Sequence, residues 1–438
     1  MSVWLDNLTT WLSGNPQWLG VAIFVIALLE CLALVGIVLP GVVLLFSVAL
    51  LAGSGILTLW QTLLLAYTGA LCGDMISYAL GRRFKHNIGR LPVLRHHPQW
   101  ILRAELYFRH YGVASLLVGR FIGPLRPMLP LVAGMLNMPL LRFILVSLVA
   151  AAGWAVAYLL PGWATGAALR LPMAEGFWTE AAVLLAGIGV ILLLTIQASL
   201  AEKPRASLLG GGLSLALLIA IVIGWPHLDA LDQGLMTLIQ EQRQAHLDQW
   251  IGTLTRLGDF HIQFAAAAML CALLFLARQW RHLLFAGSTL LVTAIGNTTL
   301  KHGFARARPD VLSEPLTTYS FPSGHSSAAF AFFLVLGVLA GRGQSGRLRL
   351  AWLVVACLPA AAIALSRIYL GVHWPSDIIA GALLASAVCG LSLTLCQRQE
   401  VLPALPARLW WIILPACLAV LGGMATWQLS NALLRYAY

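Results

Sequence analysis

Charge is what this chain has least of: Asp, Glu, Lys and Arg make up 10% of its 438 residues, against roughly 25% in an ordinary soluble domain. That deficit excludes a solvated globule. With 60% of residues hydrophobic, several apolar stretches reach the ~20 residues that a helix needs to cross a bilayer, from one end of the chain to the other. Paired cysteines are missing too. Cys31, Cys72, Cys271, Cys357, Cys389, Cys396 and Cys417 form no C-x-x-C and lie in or beside apolar runs, which argues for small buried hydrophobes over a disulfide framework or a zinc site. No basic residue precedes the first apolar run in "MSVWLDNLTTWLSGNPQW", so this stretch reads as mature protein and not as a leader. Its Trp4, Trp11 and Trp18 suit a lipid interface. The net charge of +11 sits in short loops between apolar runs, the distribution of cytoplasmic loops facing anionic lipid, so nucleic acid is not the expected partner.

Apolar runs predict helical spans near 17 to 38, 56 to 80, 140 to 165, 178 to 198, 206 to 225, 262 to 278, 283 to 300, 326 to 340, 350 to 366, 377 to 396 and 409 to 430. Two shorter pieces, 41 to 54 and 124 to 137, follow proline-containing breaks and are expected as re-entrant hairpins, which a membrane tolerates where protein or a watery cavity satisfies the backbone. Between Arg82 and Arg109 stand seven basic residues (Arg82, Arg83, Lys85, Arg90, Arg95, Arg103, Arg109) and the single acid Glu105; this loop is expected inside the cell. Counting spans from there keeps later basic loops inside. It places 226 to 261, with five acids against Arg243 and Arg256, outside, together with 301 to 325 and 367 to 376. The charged, glycine-rich stretch 197 to 212 marks a domain boundary near 203, giving domains 1–203 and 204–438.

Three polar clusters fall at outer span ends: "KHGFARARP" with Lys301 and Arg308, "PSGH" at 322 to 325, and "SRIYLGVHWPSD" with Ser366, Arg367, His373 and Asp377. Three cations suit a doubly charged phosphate, and an arginine grips two of its oxygens at once. Gly324 allows close backbone approach at a helix N-terminus whose N–H groups attract an anion. Asp377 lies about one turn into the helix that opens at Pro375, where it can accept a proton from one nitrogen of His373 and leave the other to attack phosphorus. His325 is then the acid that protonates the leaving oxygen. No cluster of carboxylates is present to hold a divalent ion, so no metal and no other cofactor is expected. Taken singly, Lys301, Arg306, Arg308 and Arg367 read as interfacial residues snorkelling to headgroups. Their joint spacing on one face is what favours a site.

Lys-x6-Arg-Pro, Pro-Ser-Gly-His and Ser-Arg-x5-His-x3-Asp, in this order, resemble the three-part signature of the type 2 phosphatidic acid phosphatase superfamily, over about residues 206 to 396. The resemblance implies a six-helix lipid phosphatase bundle, here with one extra C-terminal helix. It also implies catalytic roles for His373, His325 and Asp377, and phosphate contacts from Lys301, Arg308, Ser323, Gly324 and Arg367.

Residues 17 to 166 repeat a crossing, a short apolar piece and a polar break, with the hairpins entering from opposite faces. Such inverted repeats belong to transporters. Glu30, Asp74, Arg120 and Arg126 lie in or beside these segments, where a charge is costly and carries a functional or paired role. The simpler reading pairs Glu30 with Arg120 or Arg126 to hold the hairpins together. "ECLALVGIVLPG", "GDMISYALGRRF" and "GRFIGPLRPMLPLVAGMLNMP" resemble the DedA family over roughly 15 to 170, which implies movement of a lipid, often coupled to protons or sodium. Val42 stands where many members carry an acid after Pro-Gly.

The expectation is an all-α polytopic protein of the bacterial inner membrane with two activities. One half hydrolyses a lipid pyrophosphate, foremost undecaprenyl pyrophosphate, on the periplasmic side; the other moves a lipid. Alternatives are a phosphatidic acid or phosphatidylglycerol phosphate phosphatase, a phosphotransferase, or mainly a lipid transporter or scramblase. A homo-oligomer is compatible with all of these.

Overall fold

The computed structural model describes residues 2–33, 35–38, 40–84, 98–121, 126–171, 173–201, 205–311 and 318–427. Lys85, Arg90 and Arg95, counted above toward the inner loop, lie outside these residues, as do Lys203 at the expected boundary and 124 and 125 of the second expected hairpin. The chain is an all-α polytopic membrane protein. Among the described residues nine helices are long and apolar enough to cross a bilayer. It separates into two compact units, Met1–Pro172 and Met173–Tyr438. The division therefore falls ahead of the boundary expected near 203, and the helix of 177 to 200 belongs with the second unit.

The first unit comprises α1 (Ser2–Gly14), α2 (Leu19–Cys31), α3 (Gly41–Leu51), α4 (Leu59–Phe84), α5 (Pro98–Tyr111), α6 (Val113–Gly119), α7 (Met128–Met135) and α8 (Leu140–Arg170). Lipid gives little hydrophobic drive for helices to associate, so close backbone packing at small residues does that work. A Cβ on Gly69 or Gly73 of α4 would stand 2.3 or 2.5 Å from the Phe24 or Leu28 carbonyl oxygen of α2. On α8, a Cβ on Gly162 or Gly166 would meet the Phe46 or Leu50 carbonyl of α3 at 2.6 or 2.0 Å. Both pairs have the small-x-x-x-small spacing. The expected crossing 17 to 38 stops short. Leu32 turns extended (ψ 127°), and the Ser77 hydroxyl of α4 takes over the broken ladder by accepting from Ala33 N–H at 2.8 Å and donating to the Cys31 carbonyl at 3.1 Å. After α3 the chain widens through a π-turn, Ala52–Ile56, with Gly55 at φ +108°. Trp163 of α8 donates to the Leu57 carbonyl just beyond, at 3.0 Å. Freed backbone groups in the apolar interior are thus met by side chains of neighbouring helices.

The second unit comprises α9 (Phe177–Leu200), α10 (Ala206–Gly224), α11 (Asp229–Glu241), α12 (Ala245–Arg256), α13 (Phe260–Leu276), α14 (Trp280–Phe304), α15 (Gly324–Gly341), α16 (Gly346–Tyr369), α17 (Pro375–Cys396) and α18 (Ala407–Trp427). The expected span 262 to 278 is shorter than its neighbours and meets the length of a crossing only together with α12, bent from it by 41°. α17 packs on α10, α14 and α15. Its closest approach is at Gly390, where a Cβ would lie 2.7 Å from the Gly211 Cα of α10. An apolar cluster including Leu270, Phe285, Phe332, Val335 and Leu393 fills the centre, and α18 closes it with Ile413, Cys417 and Leu421. This packing sets the C-terminal ends of α14 and α16 beside the N-terminal ends of α15 and α17.

Candidate active site

Those four helix ends carry the three polar clusters. His373 lies in the short turn between α16 and α17 and is buried. Arg308 Nη1 donates to His373 Nε2 at 3.1 Å and to the Val372 carbonyl at 2.6 Å. A guanidinium has no acceptor to offer, so Nε2 holds its lone pair toward Arg308 and the ring proton sits on Nδ1. That nitrogen faces the Asp377 carboxylate and the Ser320 hydroxyl, both at 3.4 Å. Burial, followed by the charges of Arg308, Arg367, Lys301 and His325, holds the imidazole well below the usual histidine value; both effects penalise the protonated ring. His373 is therefore neutral near pH 7, with a bare nitrogen toward the cations.

The Asp377 carboxylate is fully committed. One oxygen receives Arg306 Nη1 at 2.9 Å. The other caps α17 by accepting from Trp374 N–H at 2.9 Å and also accepts from Ser320 Oγ. Arg306 Nη2 also reaches Asp232 of α11 at 2.7 Å and lies 3.7 Å from Asp229, and the guanidinium lies against the rings of Trp225 and Trp374 at 5.1 and 5.5 Å. Asp232 in turn accepts from Ser376 N–H at 2.8 Å and its hydroxyl at 2.6 Å. Arg306, read from sequence only as a snorkelling candidate, instead holds the carboxylate beside His373. Asp232 and Ser320 had no motif to mark them, and Ser376 stood at an unspecified position between His373 and Asp377.

The remaining sequence-derived residues converge on the same end. Lys301 Nζ donates to the Tyr319 carbonyl at 2.8 Å, and Arg308 also reaches the Thr318 carbonyl at 2.7 Å and hydroxyl at 2.8 Å. Arg367 is buried and donates to Thr255 of α12 at 3.0 Å. Ser323 differs in its contacts from the phosphate role read from sequence: its hydroxyl accepts from Ser326 N–H and caps α15, while its N–H donates to the Asp377 carbonyl. At Gly324 the nearest atom to an added Cβ would be Asn297 Oδ1 at 3.5 Å, an ordinary contact, so the helix mouth is not crowded there. His325, one residue on, places Nε2 2.9 Å from Asp259.

The first unit gathers its charges differently. Asp74 pairs with Arg120 and Glu30 with Arg126, all four buried. Of the two partners open to Glu30 in the sequence reading, Arg126 is the one in contact. Both guanidinia lie against the Trp154 ring, at 5.3 and 5.5 Å. Glu30 Oε2, Arg126 Nη1 and Trp154 Nε1 have no hydrogen-bond partner among the described residues.

Among the described residues, nine helices of membrane-crossing length and a cluster of histidine, acid and cations at one end of the second unit define a polytopic membrane protein with a candidate anion site. Comparison with known proteins places both halves. Residues 39–164 match the VTT domain and residues 282–401 the PAP2 superfamily. The inner membrane protein YabI of Escherichia coli is 41% identical over 151 residues, 34% of this chain and 59% of that protein. An uncharacterized membrane protein of Buchnera aphidicola is 33% identical over 205 residues, 45% of this chain and 80% of its own length. The crystal structure of Aquifex aeolicus LpxE shares 29% identity with 38% of this chain, covers 94% of its own, and superposes with a TM-score of 0.31. The chain thus belongs to the DedA/VTT family through its N-terminal domain, which is fused to a C-terminal PAP2-superfamily phosphatase domain. It is a multi-pass bacterial inner-membrane protein.

Proposed function

We propose that the second unit, with its core over residues 206–396, is a metal-independent lipid phosphatase working through a phosphohistidine, and that its mouth opens to the periplasm. The observation that carries this is the orientation of His373: Nε2 toward Arg308, Nδ1 toward Asp377. In the first step Nε2 gives its lone pair to phosphorus. The P–O bond to the leaving group breaks with its electrons on oxygen, and that oxygen takes a proton from His325. In the second step water attacks phosphorus and yields a proton to His325, and the P–N bond returns its electrons to Nε2. Lys301, Arg308 and Arg367 match the charge spread over the equatorial oxygens. The contacts of Lys301 and Arg308 with carbonyl and hydroxyl oxygens would be exchanged for phosphate oxygens on binding. The outward face follows from the basic loops and from the acidic segment 226 to 261.

Undecaprenyl pyrophosphate is the favoured substrate, since several cations suit a diphosphate and the fused first unit resembles a lipid carrier. In that first unit α3 and α7, with the breaks before them, would form opposed re-entrant hairpins. Glu30, Asp74, Arg120 and Arg126 would line the path by which the monophosphate product, or another lipid, crosses. Fusion raises the local concentration of product at the carrier. The test is phosphate release from a panel of lipid pyrophosphates and monophosphates with chelator present. Release is expected to be fastest with undecaprenyl pyrophosphate and to be abolished in His373→Ala; undiminished turnover in that variant would remove the assignment. Preference for phosphatidic acid or phosphatidylglycerol phosphate would instead make the protein a phospholipid phosphatase.

A further inference from the structure

The same site holds a second carboxylate–imidazole pair. Asp259, the residue that opens α13, places Oδ1 2.9 Å from Nε2 of His325, and both side chains are mostly buried. A carboxylate only accepts, so Nε2 carries a proton and its electron pair is committed to the ring. The opposite nitrogen, Nδ1, has no hydrogen-bond partner among the described residues. Gly258 makes this geometry possible: a Cβ there would stand 2.9 Å from His325 Cδ2, 3.1 Å from its Cβ and 2.6 Å from Ile363 Cγ2. A side chain at 258 would push the imidazole off the turn that carries Asp259. The bare backbone of one residue and the carboxylate of the next thus seat the ring in one orientation.

We infer that Gly258 and Asp259 are positioning residues for the proton donor, fixing His325 so that Nδ1, and not Nε2, hands the proton to the leaving oxygen. The inference rests on the phosphatase reading and deepens it. The Asp259 carboxylate at the start of α13 faces Nε2, and a bound phosphate dianion places a second negative charge against the ring. Together they favour the doubly protonated imidazolium, the form that carries a proton on Nδ1. In the step itself the Nδ1–H bond breaks as the O–H bond of the departing alcohol forms. The proton on Nε2 stays with the pair to Asp259, and Nδ1 is reloaded by the attacking water.

A proton donor matters in proportion to how poor the leaving group is, and this separates positioning from mere folding. Two soluble substrates are compared in the full chain: dihexanoyl phosphatidic acid, whose alcohol needs a proton to leave, and 4-nitrophenyl phosphate, whose phenolate does not. General acid catalysis contributes ~10²–10⁴-fold. Read as kcat/KM, which reports the steps up to departure of the leaving group and not the later attack of water that His325 also serves, His325→Ala should therefore lose at least ~100-fold on the first and only a few-fold on the second. Asp259→Asn should lose ~10-fold or more on the first with the second nearly unchanged, and should add nothing on the His325→Ala background. Gly258→Ala, which keeps the carboxylate, should show the same selectivity. Equal losses of Asp259→Asn on both esters, or a further loss on the His325→Ala background, would overturn the positioning role while leaving the phosphatase intact. His373→Ala must lose both esters alike; if it keeps turnover, the phosphatase reading and this inference fall together.

Discussion

The two units solve opposite electrostatic problems. In the first, two arginines face two carboxylates, Arg120 with Asp74 and Arg126 with Glu30, stacked on one tryptophan between helices. Positive and negative charges match in number, which is what the low dielectric between membrane helices demands of groups that must stay ionised. In the second, the carboxylates are assigned elsewhere: Asp377 and Asp232 to Arg306, Asp259 to His325. Lys301 and Arg308 are held by carbonyl and hydroxyl oxygens. The lesson is one of placement. Balanced charge can be sealed between helices, whereas a cation-rich cluster stands where helix ends meet and an anion can arrive to complete it.

The sharpest break of this comparison is His373→Ala, which should reduce phosphate release by ~10³-fold or more, since a nucleophile cannot be replaced by binding alone. If the first unit moves lipid as proposed, that movement, read in liposomes, should survive it. Next comes the matched quartet. Removing one member of a buried pair costs about 3–5 kcal/mol, so Glu30→Gln and Arg126→Gln should each lower the thermal stability of detergent-purified protein. The double variant should lose less than the sum of the two; strict additivity would mean that the pair is not coupled. A smaller effect is expected for Arg306→Lys. One ammonium cannot span Asp232 and Asp377 as the guanidinium fork does, and kcat should fall by about tenfold with KM little changed, as positioning of His373 loosens.

The pH profile is the finest probe. The His373 imidazole is pressed well below the usual value by burial and by neighbouring cations. Below its pKa the ring is protonated and cannot attack; above it the ring is competent. The acid limb of kcat/KM should thus lie below pH ~6.5, the ordinary histidine value. Lys301→Met removes one of the charges opposing protonation, so its limb should move toward higher pH. A limb that stays in place would show that Lys301 does not act on His373.

Much of the second unit's site was legible because its signature is local. Lys301 and Arg308 share one segment, Ser323 to His325 another, and Arg367 to Asp377 a third, each at the end of an apolar run whose length is set by the bilayer. The pairing of His373 with Asp377 follows from four residues across a turn into a helix. Asp232, Asp259 and Ser320 stood outside every motif, because each meets its partner across 57 or more residues of sequence. Arg306 was visible only as one cation among several. In the first unit the sequence marked all four charges and left open which arginine Glu30 meets. That choice depends on the register of packed helices.

By itself the sequence determined that this chain crosses a bilayer many times, that it is double, and which short polar clusters are the candidates for a phosphate site. Those properties follow from run length, composition and short-range spacing, which survive without knowledge of any neighbour. Only the tertiary structure decided which acid restrains which base: Arg306 on Asp377, Asp259 on His325, Arg126 on Glu30. A hydrogen bond acts over about 3 Å, and helix packing alone brings residues separated by tens of positions within that reach.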